Sequence, residues 1–367
     1  MNEIRPYKQI LQFLTEVIEQ TDYSPNYKLP SERMLATKFG ASRRSVRLAF
    51  ETLINQGVIV SIHGKGYFTT GNKKNARVAA SPTIQKIYFI TPALRTDFAQ
   101  NILSGITDYC DKHTLDVSIK ITKSDPKKET QYIRTALSSD AKGIILFPSD
   151  NELINNELLK LSANRYPIAI IDRYFRNINS SFISTDNYNA MLGAVQFLRS
   201  RHHKNLLYLT SPTSLATVVE ERLSGFLAGL KKYYGESEKA NVLTFKDFVF
   251  DEIRSAMIAY LKKNPTIDVI ITPGLPDATD AIIAAVHALK RSIPQDIKLM
   301  VFDNDFSFTE IELLRPYVIQ QDAYEIGYRS AAALYNQIYG DLRPESIRLP
   351  VSIIDCTKKR ERNKLLK

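Results

Sequence analysis

Cysteine is scarce: Cys110 and Cys356 are the only two in 367 residues. That is too few for a disulfide framework, and they lack the spacing of a metal knuckle, so a reducing cytoplasm fits. The five histidines, His63, His113, His202, His203 and His287, form no HExxH pair and no Cys/His cluster. A zinc site therefore has no support, and no metal or other cofactor is expected. Long hydrophobic runs are missing as well, since nothing approaches the ~18 to 20 apolar residues that span a bilayer. The first twenty residues mix charge into their apolar positions and show no apolar stretch ending in a small-residue cleavage site, so no export signal is read. A soluble, cytoplasmic chain without a membrane partner is expected.

What is present is an ordinary globular composition, 44% apolar and 24% charged, in a chain long enough for two to three domains at roughly 150 residues each. The formal charge of +10 is unevenly spread. Between positions 28 and 77 ten Lys and Arg stand against only Glu32 and Glu51, and the last ten residues, KKRERNKLLK, carry six bases and one acid. The rest is nearly neutral. One concentrated basic segment on a neutral body suits a module facing a polyanion, with nucleic acid the leading partner. The terminal KKRERNKLLK has the composition of a frayed, solvated tail.

Within the first seventy residues, Ile10, Leu14, Val17 and Ile18 recur at helical spacing and predict a helix from about Pro6 to Gln20. Ser31 can cap a second, two-turn helix through Met34, Leu35 and Phe39 that stops at Gly40. Ser42 can cap a third, with Val46, Ala49, Phe50, Leu53 and Ile54 as its apolar stripe. Val58 to Val60 and Tyr67 to Thr70 read as strands joined by the turn His63-Gly64-Lys65-Gly66. Three helices and a hairpin make a winged helix-turn-helix. Arg43, Arg44, Ser45 and Arg47 lie off the apolar stripe in the first turns of the third helix, where a recognition helix meets base edges and phosphates. The HGKG turn lacks the spacing of a nucleotide-phosphate loop and leads into a strand, which excludes that reading.

The run LPSERMLATKFGASRRSVRLAFETLINQGVIVSIHGKGYF, with its PSER, SRxxVR and GxG elements in order, resembles the GntR-type winged-helix domain over about 65 residues. The resemblance implies operator contacts from Arg33, Arg43, Arg47, Gly64 and Gly66, with His63 and Lys65 beside them in the wing. Ser45 stands where many members have Thr.

From Gly71 to Pro82 the chain is polar, basic and aperiodic, as a linker is. Apolar runs then alternate with helical segments: Ile87 to Ile90, Val117 to Ile121, Gly143 to Phe147, Ile168 to Ile171, Leu206 to Leu209, Val242 to Phe245, Val269 to Ile271 and Leu299 to Phe302. That order predicts an α/β architecture of parallel sheets, and its length predicts two doubly wound lobes with a cleft at their strand C-termini. Asp172 and Arg173 follow one such run, and Asp303 and Asp305 another. Carboxylates and a guanidinium there offer acceptors and donors to a polyol, with Phe98 able to cover a ring face.

IDRYFRNINSSFISTDNYNAMLGAVQFLRS, ERLSGFLAGL, VFDND and QQDAYEIG resemble the LacI/GalR regulators and periplasmic sugar-binding proteins over residues 84 to 357. The resemblance implies sugar contacts from Asp172, Arg173, Asp303 and Gln321. Where the family has a sugar-binding Arg two residues before its RxxGF element this chain has Glu220, and Arg222, the element's own arginine, is expected to be structural. TPGLPD replaces an Asn-Asp pair and puts Gly274 near the ligand.

The expected order is a winged helix-turn-helix over residues 1–70, a linker over 71–83, a two-lobed doubly wound parallel-sheet domain of the periplasmic-binding-protein type over 84–357, and a basic tail over 358–367. The joined resemblances, similar to arabinose-responsive repressors, imply a homodimeric regulator, expected to be a repressor, of a pseudo-palindromic operator. Its effector is expected to be a neutral aldose such as arabinose or fucose, which suits a cleft with Asp172, Arg173, Glu220 and Asp303 better than a sugar phosphate does. The alternative, a carbohydrate enzyme on the same scaffold, meets no nucleophile with a paired base, no phosphate loop and no metal cluster. A pure sugar carrier is opposed by the basic winged helix.

Overall fold

The computed structural model describes residues 6–62, 64–71, 85–113, 115–149, 156–175, 178–213, 216–235, 240–303, 306–340 and 343–358. The expected linker and basic tail therefore lie almost wholly outside the described residues, as do His63 and Asp305.

The N-terminal unit is built from α1 (Pro6–Gln20), α2 (Glu32–Phe39), α3 (Arg43–Asn55), β1 (Ile59–Ile62) and β2 (Gly66–Thr69). Ser31 and Ser42 cap α2 and α3 through their hydroxyls, accepting from the amides of Met34 and Ser45, and Gly40 ends α2 in the left-handed region at φ 57°. Ile10, Leu14 and Ile18 of α1 bury against Leu35 of α2 and Val46, Ala49, Phe50 and Leu53 of α3. The hairpin closes the far side: β1 and β2 pair antiparallel, and Tyr67 stacks on Phe50 with centroids 3.8 Å apart.

The remainder forms two six-stranded sheets. The first lobe runs β3 (Gln85–Thr91), α4 (Asp97–Lys112), β4 (Leu115–Ile121), α5 (Pro126–Ser138), β5 (Gly143–Leu146), α6 (Asn156–Ala163), β6 (Ile168–Ile171) and β7 (Ser181–Thr185). The second runs α7 (Asn187–Ser200), β8 (Leu206–Thr210), α8 (Thr217–Tyr233), β9 (Asn241–Thr244), α9 (Phe250–Lys263), β10 (Val269–Thr272), α10 (Pro276–Ala288), β11 (Lys298–Phe302), α11 (Phe308–Leu314) and β12 (Tyr317–Gln320). The chain then returns as α12 (Ala323–Tyr339) and β13 (Ser346–Leu349) in the first lobe, and ends as β14 (Ser352–Asp355) in the second.

The sheet orders are β13-β7-β6-β5-β3-β4 and β14-β12-β11-β10-β8-β9. All pairings are parallel except that of β12 with β14. Each lobe thus repeats one doubly wound pattern, and in such sheets ligands bind outside the carboxyl ends of the strands. All eight apolar runs read from the sequence are strands. Four more strands, β7, β12, β13 and β14, lie outside those runs: Ser181–Thr185 reads as polar yet is buried, and β13 and β14 are part-exposed edge strands. Because the chain crosses between lobes after β7, β12 and β13, three adjacent segments connect them.

Candidate functional site

The two strand-end aspartates occupy equivalent places. Asp172 follows β6 with φ 67° and donates its amide to the Ile183 carbonyl of β7; Asp303 follows β11 with φ 57° and donates its amide to the Ile319 carbonyl of β12. Aspartate is among the few residues that tolerate the left-handed region, which turns the chain off the strand and into the crevice. Strained conformations of this kind concentrate at binding sites.

Asp303 is held by the second crossing segment. It accepts from the Gln321 amide at 3.1 Å and from Gln321 Nε2 at 2.6 Å, while Gln321 Oε1 accepts from Thr185 Oγ1 at 2.6 Å. Gln321 thereby joins the end of β7 in one lobe to the end of β11 in the other. Burial pushes the Asp303 carboxyl up to about 6, with the negative charge of Asp172 adding to the rise, while the Gln321 hydrogen bonds and the charge of Arg222 oppose it. Asp172 is buried and lies 3.8 Å from Arg173 Nε, and Ser184 Oγ donates to its carbonyl at 2.7 Å.

Arg222 braces the second lobe beside Asp303. Its guanidinium sits 3.7 Å from the centroid of Phe302, its Nε donates to Asn187 Oδ1 at 2.7 Å, and its charge acts on Asp303. It is part of the crevice as well as a structural brace. The spacing of the RxxGF element carries no information about which arginine turns inward, whereas the stacking on Phe302 does.

Phe98 is half-buried in the first turn of α4 and meets Phe147 edge-on with centroids 6.3 Å apart, packed on the first lobe's core. Glu220 is exposed in the first turn of α8, next to Glu221, which pairs with Arg348 of β13 at 2.9 Å. Gly274 has φ 76°, and a Cβ there would stand 1.9 Å from the Phe302 carbonyl oxygen, so only glycine lets this loop lie against β11. Gly274 and Asp303 together line a recess of about 60 Å³ with Thr279 and Phe306. Carboxylate acceptors, an amide and two guanidiniums are thus gathered at one crevice, as hydroxyl recognition requires. Among the described residues no group of side chains could hold a metal ion, and no helix is long and apolar enough to cross a membrane.

On the winged helix, Arg33, Arg43 and Arg47 are exposed, and so are Gly64 and Lys65 of the wing, with Gly66 half-buried. Arg47 pairs with Glu32 at 3.1 Å, and Glu32 also accepts from the Tyr67 hydroxyl at 2.8 Å. The side chain of Arg44 lies outside the described residues. Ser45 departs from its neighbours: it is buried, and its Oγ donates at 3.0 Å to the carbonyl of Tyr339, the last residue of α12. The first turn of α3 therefore rests against the first lobe.

Two family models match the chain: "Periplasmic binding proteins and sugar binding domain of LacI family" over residues 84–361 and "Bacterial regulatory proteins, gntR family" over residues 6–69. An arabinose metabolism transcriptional repressor of Geobacillus stearothermophilus is 21% identical over 358 residues, 93% of this chain and 96% of its own. A ribose operon repressor of Halalkalibacterium halodurans is 25% identical, covering 72% of this chain and 76% of its own. Among solved structures, a periplasmic binding protein/LacI transcriptional regulator from Alkaliphilus metalliredigens, complexed with D-xylulofuranose, superposes with a TM-score of 0.61 at 22% identity, covering 74% of this chain and 97% of that one.

Proposed function

The chain belongs to the family of periplasmic binding proteins and sugar-binding domains of the LacI type, preceded by a gntR-type regulatory domain, and from that premise we propose a sugar-responsive transcriptional repressor, not an enzyme. Its parts are the winged helix over residues 1–70, a linker over 71–83, the effector domain over 84–357 and a basic tail over 358–367. One observation carries this reading: a single chain joins a capped helix with exposed Arg43 and Arg47 to a crevice where Asp303, Gln321, Thr185 and Arg222 converge.

Arg33, Arg43, Arg44, Arg47 and the wing from His63 to Gly66 contact the operator. A pseudo-palindromic operator needs two such modules, hence a homodimer. Asp172, Arg173, Asp303 and Gln321, with Arg222, bind the hydroxyls of a neutral aldose, and the names of the arabinose and ribose repressors among the relatives support that class. The sugar alters DNA affinity only by binding one lobe arrangement more tightly than the other.

The test has two arms. A ligand of the folded state raises the melting temperature, so pentoses, hexoses, deoxysugars and their phosphates are screened by thermal shift; arabinose or fucose is expected to score, and a response confined to sugar phosphates overturns the neutral-aldose reading. Duplexes are selected from a randomised pool, and Arg43→Ala or Arg47→Ala is expected to weaken the selected duplex by ~1 to 3 kcal/mol while sugar binding persists. Unchanged affinity in both variants removes α3 from the DNA interface.

A further inference from the structure

The contact between α3 and the first lobe is a short, specific seam. Ser45 Oγ donates to the Tyr339 carbonyl at 3.0 Å, and Ser42 Oγ lies 3.5 Å from the Gly340 carbonyl and 2.9 Å from Ser45 Oγ. Tyr7 of α1 completes it: its ring meets that of Tyr339 with centroids 5.3 Å apart, and its hydroxyl is 3.1 Å from Thr52 Oγ1 of α3. Tyr7 and Leu48 pack on the first lobe's core beside Tyr335 and Ile338. On α3 the residues Ser45, Leu48 and Thr52 follow one another at helical spacing, so they form one stripe next to the winged helix's own core stripe.

We propose that this seam is an autoinhibitory lock, resting on the DNA-binding reading above: the docked arrangement cannot bind an operator, and release of α3 is a required step of DNA binding. A major groove is ~12 Å wide and an α-helix with its side chains ~10 Å across, so a reading helix fills the groove at its N-terminal turns. Ser45 lies in those turns on the opposite side of α3 from Arg43 and Arg47, and it is 2% exposed. The arginines face Lys142 and Ile338 of the first lobe across a cleft of about 520 Å³, a space too small to admit a duplex whose major groove alone is ~12 Å wide. The lock also uses the electrostatics that would attract DNA. The N-terminus of α3 carries positive partial charge and two serine hydroxyls, as a phosphate site does, and the C-terminal carbonyls of α12 bring the matching negative end. Those carbonyls take the place of a phosphate oxygen.

The same helix connects the lock to the crevice. α12 starts directly after Gln321, which holds Asp303, and ends at Tyr339, about 25 Å away at 1.5 Å per residue. A ligand that engages Gln321 and Asp303 acts on the first turn of the rod whose last turn holds the recognition helix. The hydrogen bonds and the ring contact of the seam are made by residues other than Arg43 and Arg47, so the lock can be opened without substituting the arginines assigned to the operator.

The chain has no tryptophan, so Tyr7→Trp supplies a single emission that reports on the seam. In the full-length protein, adding the selected duplex is expected to shift that emission to the red as the ring leaves Tyr339. Tyr7→Ala, confirmed as folded by a cooperative melt, is expected to bind the duplex more tightly; a lock closed ~90% of the time depresses apparent affinity about tenfold. Duplex binding by the Tyr7→Trp protein with unchanged emission overturns the lock, and so does wild-type affinity in folded Tyr7→Ala. If Tyr7→Ala does not fold, the emission measurement decides alone. Failure of both the wild-type and Tyr7→Ala proteins to bind any duplex in the pool is a different result: it removes the DNA-binding reading, and the lock with it.

Discussion

The two lobes share strand order, aspartate position and helix packing, and they differ where a ligand would touch them. In the first, Asp172 has Arg173 as its neighbour at 3.8 Å; in the second, Asp303 is gripped by Gln321 from a segment crossing between lobes. The left-handed turn after the strand is kept in both, while the group that holds the aspartate differs. A repeated scaffold thus carries two unlike carboxylates.

The scaffold half of that comparison can be broken with a methyl group. In the first lobe α4 and α12 touch through backbone: a Cβ on Gly105 would stand 2.0 Å from the Tyr324 carbonyl oxygen, and one on Gly327 2.0 Å from that of Ile102. The second lobe repeats the backbone contact, since a Cβ on Gly225 would stand 2.2 Å from the Tyr188 carbonyl oxygen, but one turn further along α8 a Cβ on Gly229 would meet only the side chain of Val195, at 2.7 Å. Backbone cannot yield without separating the helices, whereas a valine can shift. Gly105→Ala is expected to cost ~3 kcal/mol or more and Gly229→Ala about 1 to 2, read from urea midpoints with unchanged slope. Equal costs would mean that the side-chain contact yields no more than the backbone one.

The ligand half is sharpened by Asp172→Ala and Asp303→Ala. Each removes a charged acceptor, and each is expected to lower sugar affinity by ~1.5 to 3 kcal/mol, roughly 10- to 150-fold, with duplex binding retained. Loss in only one variant would assign recognition to a single lobe.

Asp303 also predicts a pH dependence. Its folded-state value of about 6 lies above the ordinary 3.8, so the folded protein holds this proton more tightly than the unfolded chain does. The stability it contributes is present below about pH 4 and is lost as the pH rises to about 6, by ~3 kcal/mol at most. The melting temperature of Asp303→Asn, compared with wild type between pH 4 and 7, should lack that downward slope. A parallel pair of curves would show that the carboxyl ionises freely in the fold.

How much of this was readable in the sequence follows the range of the interaction. Ser31, Gly40 and Ser42 bracket helices through contacts three to five residues away, and each reads directly from the chain. The eight apolar runs do too, because burial on both faces of a parallel sheet leaves an unbroken apolar stretch. β7 was lost because its serines and threonine are buried through distant partners: Gln337 Nε2 donates to Ser181 Oγ from 156 residues away, and Thr185 meets Gln321 from 136 away. The partners of Arg222 and Ser45 are hidden in the sequence for the same reason. The roles of these two side chains depend on Phe302 and Tyr339, which no local pattern connects to them.

The smallest expected effect concerns how the lobes are held together. Arg348 of β13 in the first lobe reaches Glu221 of α8 in the second at 2.9 Å, over the rings of Tyr174 and Phe182 at about 5.5 Å. The Arg348 side chain is 39% exposed, so solvent screens it, and Arg348→Ala is expected to cost only ~0.2 to 1 kcal/mol of stability. Its consequence for binding is more specific, because the pair joins the lobes without touching Asp172 or Asp303. If sugar favours the closed arrangement, losing ~0.5 kcal/mol of closing energy should weaken the sugar about twofold and leave the binding enthalpy from the carboxylates unchanged. Isothermal titration of Arg348→Ala beside Asp303→Ala separates the two: a twofold loss against one of tenfold or more keeps recognition and closure as distinct tasks, and equal losses would make Arg348 a ligand contact.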